Sequence, residues 1–411
     1  MMWLIEKLLT RMIRHGEVKL VHPDGTTRLF GHREPGFSSL TLKIHDRSVP
    51  VRLAMSPSLG FAEAYMDGRL TIEGGDIMDF VGLAYANAEW ERGRQLEPEG
   101  MIGRMLRSVS GPLRQINHRR AARANVAHHY DLSSQLYDLF LDRERQYSCA
   151  YWTDDTPDLE AAQQAKLAHI AAKLALKPGM KVLDIGCGWG GMALYLHRHY
   201  GVDVTGITLS KEQLAIAQAR AAREGVADHV RFELIDYRDK RGQFDRIVSV
   251  GMFEHVGTPN YRTFFRCCHN LLGEDGVMLL HTIGRMDGPG AIDPFTHKYI
   301  FPGGYIPALS EIVSASEPNK LIVTDVESLR LHYALTLRAW YARCMEKRGQ
   351  IEALYDARFF RMWAFYLAGA TAAFEHGGIL NYQVQFARNR RTLPITRDYM
   401  RDAELALTGR D

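Results

Sequence analysis

VLDIGCGWGG, residues 182–191, is the stretch that decides the fold of this chain. A short β-rich run is followed at once by glycines, and residues 192–199 then show the spacing of a helix. Glycines in such a turn let the backbone approach a ligand closely, and the free N–H groups of the following helix favour polar ligand groups. The stretch therefore predicts a ligand-binding turn between a strand and a helix.

Strands and helices alternate outward from this turn. The hydrophobic pattern predicts a strong helix over residues 211–224. It predicts strands over residues 181–185, 201–208, 230–235, 244–250, 277–282 and 321–326. Strands that alternate with helices in this way form a parallel sheet with right-handed crossovers. We therefore expect an α/β fold with a doubly wound, mainly parallel sheet.

The glycine turn is compatible with several cofactors, because nicotinamide dinucleotides, flavins and S-adenosylmethionine (SAM) all use such a turn. The glycines at 186, 188 and 190 have the spacing Gly-x-Gly-x-Gly rather than Gly-x-Gly-x-x-Gly, although the additional Gly191 makes this distinction less clear. Asp184 precedes the turn, and a negative carboxylate at this position would repel a pyrophosphate. SAM has no phosphate and carries an ammonium group, so these details favour SAM. The alternative is a turn that serves only the packing of the sheet.

Polar residues also follow the next two strands. Hydroxyl and amide groups after the second strand can make the ribose contacts for which a dinucleotide enzyme uses an acid. An aromatic ring and polar groups after the third strand suit an adenine, although an ordinary polar loop would look similar. The residues concerned are Thr208, Leu209, Ser210 and Gln213 after the second strand, and Asp236, Tyr237 and Arg238 after the third.

Glu254 and His281 lie at the predicted ends of the fourth and fifth strands. Ligands of such sheets bind at the carboxyl ends of the strands, so both side chains should lie beside the cofactor. Either residue alone would more often be structural. Together, beside a methyl donor, they predict a reaction site.

Composition and charge exclude several classes of protein. The chain has 411 residues, of which 46% are hydrophobic and 24% charged, which is typical of a globular protein with two domains. The net charge of +3 is too small to indicate a nucleic-acid partner. Five cysteines without a C-x-x-C pair argue against a disulfide framework and a zinc site, so no metal is expected. Without a secretory pattern or a transmembrane-length apolar run, a cytoplasmic protein is expected.

The composition also divides the chain. Residues 1–125 are expected to form a small α+β domain with a basic linker, and residues 126–411 the catalytic domain, with an insertion at about 285–320. Between residues 100 and 130 there is no acidic residue, and six arginines form what we call the arginine strip. They are Arg104, Arg107, Arg114, Arg119, Arg120 and Arg123. A solvated linker and a site for anionic phosphate head groups are both open interpretations.

Several further motifs follow one another in a specific order. They include NVAHHYD (125–131), YSCAYW (147–152), FEHVG (253–257), HTIG (281–284) and IFPGG (300–304). With the glycine turn, they give the chain a resemblance to the cyclopropane-fatty-acyl-phospholipid synthase family, which includes the mycolic acid cyclopropane synthases. The N-terminal region resembles the extra domain of the bacterial phospholipid enzymes. The resemblance covers essentially the whole chain after residue 125.

The resemblance implies a reaction and a set of site residues. Family members transfer a methylene group from SAM to a cis double bond of an acyl chain, through a carbocation that a bound bicarbonate deprotonates. The bicarbonate ligands implied for this chain are Cys149, Glu254, His281, Tyr333 and the backbone of Ile283. With the residues identified above, the expected cofactor set is Tyr147, Ser148, Asp184, Gly186, Cys187, Gly188, Gly190, Thr208, Leu209, Ser210, Gln213, Asp236, Tyr237 and Arg238.

The resemblance also implies partners. The substrate would be an unsaturated phospholipid in the bilayer, the enzyme would lie peripherally at the anionic inner membrane face, and a homodimer is expected. The insertion would form part of the wall of an acyl tunnel. One alternative is a related SAM-dependent C-methyltransferase that gives methyl-branched or methylated unsaturated chains. A methyltransferase for soluble small molecules and a non-catalytic lipid-binding protein are further alternatives.

Overall fold

The computed structural model describes residues 2–93 and 133–408. The strands are β1 (Gly16–Val21), β2 (Thr27–His32), β3 (Ser39–Ile44), β4 (Leu70–Glu73), β5 (Lys181–Ile185), β6 (Asp203–Thr208), β7 (Val230–Leu234), β8 (Phe244–Val250), β9 (Leu272–Arg285), β10 (Ile322–Leu329) and β11 (Ile379–Ala387).

The α-helices are α1 (Met2–Met12), α2 (Val49–Met55), α3 (Pro57–Met66), α4 (Ile77–Ala86), α5 (Ser134–Phe140), α6 (Leu159–Lys173), α7 (Gly191–Tyr200), α8 (Lys211–Arg223), α9 (Tyr261–Leu271), α10 (Leu309–Ser316), α11 (His332–Glu346), α12 (Arg348–Leu354), α13 (Ala357–Glu375) and α14 (Asp398–Thr408). Short 3₁₀ segments lie at Trp90–Arg92, Phe253–His255, Thr258–Asn260 and Glu317–Asn319, and a π-helical turn at Thr296–Ile300.

A seven-stranded sheet carries the glycine turn. Its order is β10-β11-β9-β8-β5-β6-β7. The strands from β5 to β9 are parallel, whereas β11 runs antiparallel to both β9 and β10. The predicted mainly parallel sheet is therefore confirmed. The sequence patterns did not predict β11, which adds an antiparallel strand beside the strand that carries His281.

Apolar side chains pack helices against this sheet. One buried cluster includes Phe264 and Phe265 of α9, and a second includes Leu167 of α6 and Leu194 of α7. This packing holds β5, β6 and β8 side by side, so that the loops after these parallel strands lie at the same edge of the sheet.

The described residues form two compact units. The seven-stranded sheet belongs to the unit made of residues 133–292, 303–333 and 379–408, and the other unit combines residues 2–93 with 293–302 and 334–378. The second unit contains the sheet β2-β1-β3-β4, in which β1 and β3 are parallel. This grouping differs from the division expected from the sequence, which put residues 293–302 and 334–378 in the catalytic domain.

Aromatic packing explains why these two segments join the N-terminal residues. The ring centroid of Phe365 on α13 lies 6.1 Å from that of Phe61 on α3, and Phe61 stacks on Phe80 of α4 at 4.8 Å. Phe295, in the segment 293–302, meets Phe365 edge-on at 4.7 Å. Apolar contacts between residues distant in sequence therefore decide the grouping. The expected boundary at residue 125 and the arginine strip lie outside the described residues.

Candidate active site

The glycine turn between β5 and α7 adopts backbone conformations that favour glycine. Gly186, Gly188 and Gly190 have φ angles of 86°, 52° and 85°. A Cβ atom on Gly186 would lie 2.8 Å from the side chain of Met252, so a larger residue would also be excluded by contact. The N–H of Gly186 donates to the carbonyl oxygen of Ile207 at 2.9 Å, which fixes the turn against β6.

A cleft opens beside this turn, with an empty volume of about 1160 Å³ that includes the open solvent at its mouth. Twelve of the fourteen predicted cofactor residues line it. They are Tyr147, Ser148, Asp184, Gly186, Cys187, Gly188, Thr208, Leu209, Gln213, Asp236, Tyr237 and Arg238.

Gly190 and Ser210 are not among the lining residues, and each has a structural contact instead. A Cβ on Gly190 would lie 2.7 Å from the ring of Phe232, so this glycine allows close packing under the turn. Ser210 caps α8, because its Oγ accepts a hydrogen bond from the backbone N–H of Gln213 at 3.3 Å. Thr208 Oγ1 donates to Gln213 Oε1 at 2.9 Å, which links the lining residues of β6 and α8.

Asp184 is the buried acid of the cleft. Its Oδ2 has no hydrogen-bond partner among the described residues. Burial raises the pKa of this carboxyl to about 7, although the nearby Lys166 ammonium opposes the shift. A cationic ligand would favour its ionised form. The residues of the cleft therefore fit SAM, whose ammonium and sulfonium groups are both positive.

The lining residues that follow β7 are held by one another. Arg238 Nε and Nη2 donate to the two carboxylate oxygens of Asp236 at 2.8 and 2.6 Å. The Arg238 guanidinium lies 5.5 Å from the ring centroid of Tyr237, and this ring meets Phe264 edge-on at 5.3 Å. An ion pair and two aromatic contacts thus hold a flat aromatic side chain in the cleft wall.

Several other lining residues were not among the expected site residues, although some of them belong to the motifs quoted above. They are Arg145, Gln146, Ile185, Trp189, Met192, Ile207, Ile235, Val250, Gly251, Met252, His255 and Val256. Most of them are adjacent in sequence to a predicted residue, and this adjacency is the feature of the sequence that could have indicated them.

Beneath the lining, Lys166 of α6 is fully buried and donates to Ser148 Oγ at 3.0 Å and to Gln146 Oε1. Burial lowers the pKa of Lys166 to about 8.

Glu254, in the 3₁₀ turn after β8, is joined to the end of β9. Its Oε1 accepts a hydrogen bond from the backbone N–H of Ile283 at 2.6 Å. Its Oε2 is buried and has no hydrogen-bond partner in the described part of the chain. Burial raises the pKa of Glu254 to about 7, and hydrogen bonds from its own backbone, from the backbone of Ile283 and from the side chain of Thr282 only partly offset this shift. The structure therefore brings two of the expected anion ligands, Glu254 and Ile283, into direct contact.

His281 lies on β9 and is fully buried. Its Nε2 lies 3.0 Å from the side-chain nitrogen of Asn381, and its Nδ1 lies 3.2 Å from that of Gln383. Burial, together with the positive charges of Lys166 and Lys173, holds the pKa of His281 well below its usual range. His281 is therefore a neutral imidazole with amide partners from β11.

Cys149 and Tyr333 complete the expected anion ligands, and both are buried. Burial raises the pKa of the Cys149 thiol far above its usual range, so the thiol stays protonated. The backbone N–H of Trp152 donates to His332 Nδ1 at 2.8 Å, which ties the segment that carries Cys149 to the start of α11, where Tyr333 lies. None of the five expected anion ligands is among the described lining residues of the cleft.

A family model described as "Mycolic acid cyclopropane synthetase" matches residues 117–384. The chain belongs to this family. A second model, described as a "Domain of unknown function (DUF7884)", matches residues 4–91.

Curated proteins of the same family extend the likeness over most of the chain. The cyclopropane-fatty-acyl-phospholipid synthase of Escherichia coli (strain K12) is 42% identical over 337 residues, which make up 82% of this chain and 85% of the relative. The tuberculostearic acid methyltransferase UfaA1 of Mycobacterium tuberculosis is 33% identical over 393 residues, which make up 92% of this chain and 89% of the relative. The resemblance inferred from the motifs is confirmed.

A solved structure supports the same conclusion. The mycolic acid cyclopropane synthase CmaA1, complexed with SAH and CTAB, superposes with a TM-score of 0.61 at 38% identity, over 64% of this chain and 98% of that chain. Together with the fold, these relatives identify the chain as a SAM-dependent methyltransferase. Among the described residues, no helix combines the length and the apolar character that a bilayer crossing requires.

Proposed function

We propose that this enzyme transfers a methylene group from SAM to the cis double bond of unsaturated phospholipid acyl chains and forms a cyclopropane ring. The observation that carries the proposal is the Glu254 carboxylate. One of its oxygens accepts from Ile283, and the other is buried without a partner among the described residues. A buried polar site of this kind suits a proton transfer that must take place away from water.

The cleft would hold the cofactor. SAM, when bound, supplies an activated methyl group. Asp184 would accept hydrogen bonds from its ammonium group, and the turn at Gly186 and Gly188 would allow the backbone close to it. Thr208 and Gln213 would face the ribose and Tyr237 the adenine. The Oδ2 of Asp184 has no partner in the described part of the chain, and this supports the assignment, because a buried acceptor needs a donor.

The reaction needs alignment first and a base second. An isolated double bond is a weak nucleophile, so positioning of the acyl chain against the methyl group provides much of the catalysis. Methyl transfer to one alkene carbon leaves a positive charge on the other carbon. A proton must then leave the new methyl group so that its C–H electron pair can close the ring. The π face of Tyr147, which lines the cleft, can stabilise the positive charge.

The base site would be formed by Cys149, Glu254, His281, Tyr333 and the backbone of Ile283. Bicarbonate, when bound there, would supply the general base. Glu254 can accept a hydrogen bond from an O–H group, whereas His281 and Tyr333 can donate to an anion. The raised pKa of the Cys149 thiol supports a role as a neutral ligand, because the nucleophilic form of cysteine is the thiolate.

Acyl chains of phospholipids lie inside a bilayer, so we propose a cytoplasmic enzyme that binds peripherally at the anionic inner membrane face, as a homodimer. The arginine strip is the sequence feature that supports this location, since each basic residue near an anionic surface contributes about 1 kcal/mol. Replacing Arg119, Arg120 and Arg123 by Ala should weaken sedimentation with anionic vesicles.

The matched control for this test replaces three other arginines, Arg390, Arg391 and Arg401, which are exposed. This control changes the charge equally. Equal loss of vesicle binding in both variants, or no loss in either at low salt, would refute the membrane role and favour the interpretation of the arginine strip as a solvated linker.

A second candidate function has a specific observation in its favour. UfaA1, which is named a tuberculostearic acid methyltransferase, is similar to 92% of this chain. A related enzyme could share the methyl transfer and lose a different proton, giving a methyl-branched or methylated unsaturated chain. Expression in a host without such an enzyme, followed by mass spectrometry of its lipids, separates the candidates. We expect monounsaturated chains that gain the mass of one CH₂ group, with a ring shown by fragmentation. A methyl-branched product would favour the second candidate.

A further inference from the structure

A row of buried amides lies behind His281. Asn381, Gln383 and Gln385 alternate along β11 and are at most 1% exposed. The ladder pairs Gln383 with His281 and Asn381 with Ile283. Because Ile283 donates to Glu254, the Asn381 end of this row lies on the side of Glu254. The side chain of Gln383 instead contacts Lys173 and the Nδ1 atom of His281.

Lys173 fixes the orientation of the Gln383 amide. Its Nζ lies 2.8 Å from Gln383 Oε1, and a lysine ammonium can only donate hydrogen bonds. The carbonyl oxygen of Gln383 must therefore face Lys173, which turns the NH₂ group toward His281 Nδ1 at 3.2 Å. His281 Nδ1 is consequently an acceptor.

A buried charge cluster holds Lys173 in turn. Lys173 is 2% exposed and donates to Glu327, which also contacts His169 Nε2 at 2.7 Å. Burial alone would raise the pKa of Glu327, but His169 and Lys173 lower it to about 2. The carboxylate of Asp325 lies 3.8 Å from Lys173 Nζ. The ammonium is thus held between two carboxylates and the Gln383 oxygen.

We propose that Lys173 and Gln383 are positioning residues that fix His281 as the neutral tautomer with its proton on Nε2. A neutral imidazole whose Nδ1 accepts must carry its proton on Nε2. This assignment also gives a role to the Asn381 Oδ1, which is buried without a partner among the described residues. Turned toward His281, it accepts from Nε2–H, because the oxygen and nitrogen of an amide are assigned from such networks.

The catalytic consequence rests on the proposed function. The N–H of His281 then lies on the side of Glu254 and Ile283, where the base site would lie, and the acceptor nitrogen faces the charge cluster. An anion bound in the base site would compete with Asn381 Oδ1 for this N–H. With the opposite tautomer, His281 would present a lone pair to an anion and could not bind it. Lys173 and Gln383 would therefore determine whether His281 can serve as an anion ligand, without touching the substrate.

The tautomer can be measured directly on the full chain labelled with ¹⁵N-histidine, by long-range proton–nitrogen NMR correlation at pH 8. A His281→Gln variant identifies the signals of His281. We expect the pattern of an Nε2–H imidazole. An Nδ1–H imidazole would overturn the proposal. Because this readout needs neither lipid nor turnover, it tests the inference separately from the proposed function.

Two variants test the positioning residues. Gln383→Glu replaces the donor amide by an acceptor, so the proton should move to Nδ1, and kcat should fall roughly 100-fold while the KM for SAM stays within about threefold. Lys173→Met frees the Gln383 amide to rotate, so the single tautomer should be lost. An unchanged Nε2–H pattern in either folded variant would overturn the proposal.

Matched controls separate these effects from general damage. Gln385→Glu introduces the same buried carboxylate two residues further along β11, where the side chain contacts Lys173 O, Thr324 and Tyr399 rather than His281. Lys177→Met removes an exposed lysine close to Lys173. Both controls should keep the Nε2–H pattern. If a control changes the tautomer as its partner variant does, the specific roles of Lys173 and Gln383 are refuted.

Discussion

The cofactor cleft is lined by residues 145–256, whereas the site around Glu254 and His281 draws on residues from 149 to 383. The cleft is made of loops at the ends of parallel strands and is open to solvent. The second site is buried, and its groups come from the segment that carries Cys149, the 3₁₀ turn after β8, β9, β11, α6 and α11. Under the proposed function, binding of a charged cofactor would thus be separated from a proton transfer that must exclude water.

The largest effect should come from the buried site. We expect Glu254→Gln to lower kcat about 1,000-fold, because the base site loses its carboxylate, and to leave the affinity for SAM within about threefold. Turnover is measured by lipid mass spectrometry and affinity by calorimetry. Glu274→Gln, an exposed substitution of the same type, is the control. Near-normal turnover of Glu254→Gln would refute the proposed role of Glu254.

The pH dependence of stability tests how deeply the buried carboxyl of Glu254 is enclosed. Its pKa is about 7 in the folded chain and near 4.5 in a model peptide, so the native state keeps a proton that the unfolded state releases. The contribution of this group to stability is fully present below about pH 4.5 and is lost as the pH rises toward 7, by up to about 3 kcal/mol. Urea unfolding at pH 5, 6, 7 and 8 measures this loss.

Glu254→Gln should flatten that pH profile, since the variant has no proton to release at this position. Asp184, whose pKa is also raised to about 7, contributes a loss of the same sign and should remain in the variant. A profile as steep as that of the wild type would show that Glu254 is not enclosed as the structure indicates.

The smallest effect is expected in the cleft. Asp184→Asn should weaken the binding of SAM about tenfold, because the ammonium group loses a charged acceptor. The identity of the lipid product should not change. Calorimetric titration with SAM measures the loss, with Asp228→Asn as an exposed control. Equal affinities of Asp184→Asn and wild type for SAM would refute the assignment of Asp184 to the cofactor site.

Sequence patterns predicted the two sites to different extents for a physical reason. The bounds of β5 and β8 agree with the patterns to the residue, because each strand ends at a local signal such as a glycine. Ten of the twelve predicted cleft residues lie at the ends of β5, β6 and β7, and the other two, Tyr147 and Ser148, were implied by the family resemblance. The charged residues Lys166 and Lys173 on α6 gave no such signal, because buried lysines are recognised only once their partners are known.

Long-range pairing accounts for the features that the patterns missed. In β11, Leu380, Tyr382, Val384 and Phe386 alternate with buried amides, and this period of two is a local feature that indicates a strand. The packing of α13 on α3 and α4 could not be predicted in this way, since it joins residues about 300 positions apart, and no local pattern specifies that distance.

The central claim is that a base removes a proton from the methyl group that SAM delivers. The most direct measurement uses SAM deuterated on that methyl group, the purified enzyme and vesicles of a monounsaturated phospholipid. The account predicts a ring-containing product that keeps two of the three deuterium atoms, since one leaves before the ring closes. A methylated product that keeps all three would contradict the account, because the proton would then have left from the acyl chain.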